Sequence, residues 1–268
     1  MELLILLGIG LTIGGAALAM EDDDDEIKGD TTADATEGND DLAGAPGDDT
    51  IFAKDGADIL DGNAGDDRLF GQDGEDLLIG GEGNDFLRGG SDHDFIIDGQ
   101  GSDTLIGDLG NDTIVSTSAI NPDDALKTIR DWVANDDPDE EINMEYDLSP
   151  DTDADADVIQ AGYGEDNVVA GKGDTVSLGE GYDELILGDW IEPGDDPVVL
   201  TDYNPGEDMI LYYHDGATPA PEITVQNTLD EFGDEDDALL LANGEVFAKI
   251  EGAGGLISPY SVWVLERE

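Results

Sequence analysis

Aspartate recurs at every ninth residue from Asp40 to Asp112: Asp40, Asp49, Asp58, Asp67, Asp76, Asp85, Asp94, Asp103 and Asp112. Carboxylates are hard anionic oxygen donors, and a row of them at fixed spacing suits a hard divalent cation, Ca²⁺ above all. Glycine stands two residues before each aspartate in every copy but one, where Asp92 replaces it. Glycine admits a positive φ and leaves backbone carbonyls uncovered, so a turn of about six residues can wrap a cation. Asp92 is among the few other residue types that tolerate that conformation. Besides the nine aspartates, Gly38, Gly47, Gly65, Gly74, Gly83, Gly101 and Gly110 are therefore candidate metal-site residues.

These residues belong to nine consecutive nonapeptides spanning 35–115, with no insertion or deletion. Leu or Ile holds the eighth place of each, from Leu42 to Ile114. One copy is thus a turn followed by a three-residue strand whose aliphatic side chain points inward. A unit this small cannot bury that side chain alone, so copies must stack into a solenoid with a ladder of Leu and Ile inside.

The pattern G-G-x-G-x-D-x-U-x, as in Gly80-Gly81-Glu82-Gly83-Asn84-Asp85-Phe86-Leu87-Arg88, resembles the repeat of the RTX calcium-binding proteins. The resemblance implies a right-handed parallel β-roll in which two nonapeptides make one coil. It also implies that an ion lies between the turns of copies n and n+2, which for nine copies gives seven sites. Charge agrees with that number: 35–115 holds 21 acidic and three basic residues, a net of −18, against +14 from seven Ca²⁺. Neighbouring coils place aspartates about 4.8 Å apart. Like charges at that distance repel by roughly 1 kcal/mol in water and ~3.5 kcal/mol at an effective dielectric of 20. Summed along two columns, this rivals the ~5–15 kcal/mol that stabilises a typical domain, so the roll is expected to order only with calcium.

The chain of 268 residues carries a formal charge of −60, which argues against nucleic acid as a partner. Cysteine is absent, so bound metal has to serve where a small secreted protein would use disulfides. Weak sites of about 10⁻⁴–10⁻³ M suit extracellular calcium. Residues 1–20 are apolar or small apart from Glu2 and Thr12, and end in Ala17-Leu18-Ala19-Met20. They read as a hydrophobic helix, either a signal peptide or a membrane anchor, and are the only part expected to contact a membrane. The expected location is extracellular or at the cell surface. Family members usually leave through an exporter that reads a C-terminal signal, and this N-terminus departs from that habit.

Residues 21–34 are dense in acid and read as a disordered linker. Within 116–151, Asn121-Pro122-Asp123-Asp124 is a helix start, and Ala125, Leu126, Ile129, Trp132 and Val133 follow at helical spacing. This short amphipathic helix, followed by an acidic loop, is expected to cap the roll. A second, degenerate run occupies 152–187, with Asp157, Asp166 and Asp183 in the sixth place. One of its copies has lost a residue, leaving Asp174 directly after Gly173 and its ligand role in doubt. Roughly one to three further ions are expected here. Asp151-x-Asp153-x-Asp155 is not an EF-hand, because Ala156 and Gly162 stand where glycine and glutamate are required.

From Gly188 the chain resembles the segment that often follows RTX rolls: Asp202-Tyr203-Asn204-Pro205-Gly206-Glu207-Asp208-Met209-Ile210 is similar to D-F-x-x-G-x-D-x-I, and Asp202 and Asp208 are candidates to share a terminal ion. Asn243-Gly244 signals a hairpin. Residues 188–268 are accordingly expected to form an antiparallel β cap on an all-β protein. No H-E-x-x-H zinc motif or G-x-S-x-G elbow occurs, and His93 and His214 read as lone surface histidines. These features point to a non-catalytic calcium-binding protein with a structural or adhesive role, its partners calcium and cell-surface or matrix components. The competing reading is a calcium-dependent enzyme, or the noncatalytic arm of one, with a site in the C-terminal region.

Overall fold

The structure, a computed structural model, describes residues 25–26, 32–117, 155–216, 219–229, 232–233 and 235–266. Aliphatic residues at the eighth place and β-branched or aromatic neighbours such as Thr50, Phe70, Ile79 and Phe86 favour extended backbone, and through the repeats successive strands fall alternately into two sheets. Ten strands form one sheet and eleven the other. Within the nine-copy run each strand pairs in parallel with the one two copies away, so the register there advances by 18 residues per coil.

Two straight aliphatic ladders result. One runs Leu42, Leu60, Leu78, Ile96, Ile114, Val168, Leu185, Ile210 and Val262. The other runs Ala33, Ile51, Leu69, Leu87, Leu105, Ile159, Val176, Leu200 and Ile250. The central rungs from Ile51 to Leu105 are completely buried. Each contributes about 2 kcal/mol of apolar burial, which no isolated nonapeptide gains. Asp41–Ala43 and Ile59–Asp61 have the expected three residues, but most strands are longer. Thr50–Asp55, Arg68–Asp73 and Leu77–Glu82 span six, because the first three places of the next copy stay extended and paired.

The second run continues the first roll. Val158–Gly164 pairs with Thr104–Leu109, and Asn167–Ala170 pairs with Thr113–Ser116, so the ladder resumes in register beyond residues 118–154. At the other end, Asp25–Glu26 and Thr32–Asp34 add a short strand to each sheet, within the stretch read as an acidic linker. Ala33 lies opposite Ile51, 18 residues on, and parallel backbone pairing tolerates the acids around it.

Antiparallel pairing accounts for only part of the cap expected over 188–268. Val198–Leu200 and Glu245–Ile250 extend one sheet in parallel, while Met209–His214 and Val262–Glu266 extend the other. Their inward residues Leu200, Ile210 and Ile250 still supply ladder rungs, so the coil persists with longer turns. Antiparallel pairing is confined to Ile223–Leu229, Glu235–Ala242 and Glu245–Ile250. Asn243 and Gly244 make the hairpin between the last two with φ of 52° and 91°, as their sequence predicts. Here the interior also takes Trp190, whose indole N–H donates to the Ala170 carbonyl at 2.8 Å, and an edge-on pair of Tyr212 and Phe247.

Among the described residues there is no α-helix, only the 3₁₀ turn Pro259–Ser261, and no helix long and apolar enough to cross a membrane. The hydrophobic segment 1–20 and the amphipathic helix expected from Asn121 lie outside those residues.

Candidate metal centre

Coiling brings the sixth-place aspartates into two columns, one along each edge of the roll. The backbone N–H of each donates to Oδ1 of the aspartate one coil on. In one column Asp40 donates to Asp58, Asp58 to Asp76, Asp76 to Asp94, Asp94 to Asp112, Asp112 to Asp166 and Asp166 to Asp183, at 2.6–3.0 Å. In the other, Asp49 donates to Asp67, Asp67 to Asp85, Asp85 to Asp103, Asp103 to Asp157 and Asp157 to Asp174. Asp174 joins the column through Oδ1, but its Oδ2 accepts the Gly171 N–H at 2.7 Å and the Ser116 hydroxyl at 2.6 Å, so that oxygen is engaged. The lost residue shortens its coil to 17, yet the carboxylate keeps its place in the column. Its local signal was the neighbouring Val176, which occupies an aliphatic rung.

The second carboxylate oxygen carries the chemistry. In the first two copies it is occupied: Asp40 Oδ2 accepts the Thr36 N–H, and Asp49 Oδ2 accepts the Ala45 N–H, both at 2.8 Å. In eight later copies this bond is lost, whereas at Asp174 it returns from the Gly171 N–H. Oδ2 of Asp58, Asp67, Asp76, Asp85, Asp94, Asp112, Asp166 and Asp183 is buried with no hydrogen-bond partner. The change coincides with a positive φ at the second place, including the non-glycine residues Lys54, Asn63, Gln72 and Asp108. Lysine and glutamine rarely adopt that conformation, so nothing in their residue types signals it.

What surrounds the bare oxygen is more acceptor. A Cβ placed on Gly62 would lie 2.5 Å from both Asp67 Oδ2 and the carbonyl oxygen of Gly80; one placed on Gly44 would lie 2.8 Å from Asp49 Oδ2 and 2.6 Å from the Gly62 carbonyl. The space that glycine leaves at the first place is therefore lined by carboxylate and carbonyl oxygens, the hard donors that Ca²⁺ takes. The fourth-place glycines stack closely on the backbone of the coil before. Gly47, Gly65, Gly74, Gly83, Gly101 and Gly110 have φ between 131° and 150°, and Asp92 adopts 77° at the same place. Gly38 lacks this positive φ and lies in more open space.

Electrostatics match the geometry. Burial pushes Asp58 up to about 8, Asp94 to about 10, and Asp67, Asp76, Asp85, Asp112 and Asp166 to about 7. Neighbouring aspartates of the same column add to the rise, and the N–H donated to Oδ1 opposes it. A bound cation would reverse the balance by giving the ionised form a partner.

Outside the columns, fifth-place side chains make a counter-running ladder. Asp48, Asp66, Asn84 and Asn111 accept the N–H of the fifth-place residue in the next coil, at 2.9–3.0 Å. His93 belongs to it, its Nδ1 accepting the Asn111 N–H at 2.7 Å. His214, expected at the surface, is instead 2% exposed and lies near Asp189 and Asp215, because its strand continues an inner sheet. Asp202 accepts from Ser177 Oγ, Leu178 N–H and Gly179 N–H, which leaves both its oxygens engaged. Asp208 keeps a buried, partnerless Oδ1.

Comparison with known proteins gives the same answer. The family model for the RTX calcium-binding nonapeptide repeat matches residues 34–69, 52–87, 61–96, 79–114 and 151–176. The chain carries RTX calcium-binding nonapeptide repeats. Among solved structures, these RTX coils and their flanks are similar to the crystal structure of extracellular lipase LipA from Serratia marcescens, at 15% identity and a TM-score of 0.23. That alignment covers 86% of this chain and 39% of the lipase chain. No curated protein matches the chain.

Proposed function

We propose that the protein binds several Ca²⁺ ions along both edges of the roll and folds as it does so, acting as a non-catalytic structural or adhesive element outside the cell. The supporting observation is the row of buried aspartate Oδ2 atoms that meet backbone carbonyls and no donor. All-oxygen donors favour a hard cation, and Mg²⁺, which keeps most of its water, fits poorly among buried carboxylates. Its partners are then calcium and cell-surface or matrix components, and weak sites filled by external calcium suit that location. The apolar residues 1–20 agree with export or tethering.

Calorimetric titration of the full chain with Ca²⁺ and Mg²⁺, followed in parallel by circular dichroism, tests the reading. Uptake of several Ca²⁺ with a coupled gain of β-structure is expected, and Mg²⁺ should not substitute. Full β-structure in chelator, or no calcium uptake, would overturn it.

A further inference from the structure

The first place of the nonapeptide is Gly or Ala in eight of the nine copies, and Asp98 holds it in the other. Every second residue of a strand faces the same way, so Asp98 shares the inward face with Ile96. Its side chain is 1% exposed. Oδ1 accepts the Gly99 N–H at 2.5 Å, and Oδ2 has no hydrogen-bond partner. A carboxylate oxygen of Asp98, one of Asp103 and one of Asp157 all lie within 4.8 Å of one another, and all three residues are buried. Elsewhere in the array the first place contributes no carboxylate.

We propose that Asp98, Asp103 and Asp157 together hold one divalent cation, with Asp98 a ligand the nonapeptide pattern does not contain. This rests on the calcium reading above and adds a third carboxylate to it. The Cβ of Asp98 fills the space that glycine leaves open in a regular turn, so the carboxylate of Asp98 itself supplies the ligand there. The donors are all hard oxygens, which selects Ca²⁺ over softer metals. Position gives the site a specific consequence. Asp98 and Asp103 belong to the first run of repeats and Asp157 to the second, so one ion fastens the two runs across residues 118–154.

The test is to count bound Ca²⁺ on the full-length protein by equilibrium dialysis, for wild type, Asp98→Ala and Asp98→Asn. Alanine keeps the Cβ and removes the ligand, while asparagine keeps the shape and removes the charge. At limiting calcium each variant is expected to bind one ion fewer than wild type, because this position has lost its third carboxylate. Amide exchange in the strand Val158–Gly164 should accelerate at limiting calcium, with little change in the coils before Phe86. An unchanged count in both variants overturns the proposal and makes Asp98 a buried neutral acid. If the alanine variant fails to fold, the asparagine variant decides by the same count. Absence of calcium uptake by wild type would instead sink the broader calcium reading, so the two failures are told apart.

Discussion

The backbone N–H of Asp103 donates to Oδ1 of Asp157 at 2.7 Å, across 54 residues of chain. Everywhere earlier in the array the same bond spans 18 residues. The column therefore treats Asp157 as the next aspartate in line, and residues 118–154 leave and return without breaking it.

Removing one column member should weaken the whole array, because each aspartate serves two coils. Asp85 accepts the Asp67 N–H, and its own N–H donates to Asp103. Asp85→Ala is expected to raise the calcium midpoint for folding several-fold, whereas Asp55→Ala, on an exposed outer position, should leave it unchanged. Calcium titrations followed by circular dichroism compare the two.

Without calcium, pH should act in the unusual direction. Burial raises the column aspartates from 3.8 to about 7 or 8, so the folded state holds protons that the unfolded chain has released. Their contribution to stability is fully present below about 3.8 and is lost as pH rises through 7 to 8. Protein in chelator should gain β-structure on acidification from pH 8 to pH 5. With calcium the trend reverses, since protons compete with the ion. Circular dichroism at both pH values, with and without calcium, reads the sign.

Gly74 has a φ of 131°, and a Cβ there would fall onto the Gly56 carbonyl. Gly74→Ala should cost more than the ~1–3 kcal/mol of backbone strain alone. Gly194, with φ 99° and open space around it, provides the comparison. Gly194→Ala should show strain only. Urea denaturation in saturating calcium measures both.

Leu87 is a fully buried rung between Leu69 and Leu105. Leu87→Ala should destabilise the calcium-loaded roll by about 2–5 kcal/mol, through lost burial and the cavity left behind. The same denaturation experiment reads this cost. The number of bound ions at saturation should not change, since Leu87 contributes no oxygen.

The repeat made most of the roll legible. A strict period of nine placed the aspartates of 35–115 in columns and their aliphatic partners on the inner ladder before any coordinates were needed. Features that escaped it follow from physics the period does not encode. Parallel pairing depends on backbone, so Thr32–Asp34 joins a sheet despite its acids. One missing residue near Asp174 shortens a turn and not a strand, so the ladder absorbs it. Beyond Gly188 the turns lengthen and the period is lost, while Leu200, Ile210 and Ile250 keep the inward face apolar. Asp98 stood in plain view as a break in the pattern, yet only its burial distinguishes it from a solvated acid.

The 18-residue register also gives the molecule a mechanical character. Every ladder bond of the regular run joins a coil to its immediate neighbour, so tension applied to the chain ends falls on the outermost coil first. Peeling one coil frees 18 residues, about 60 Å of extended chain. Pulled by its termini in calcium, such a roll would lengthen as a staircase of near-equal steps. In chelator, with the cations gone, the same chain would stretch as a smooth entropic spring.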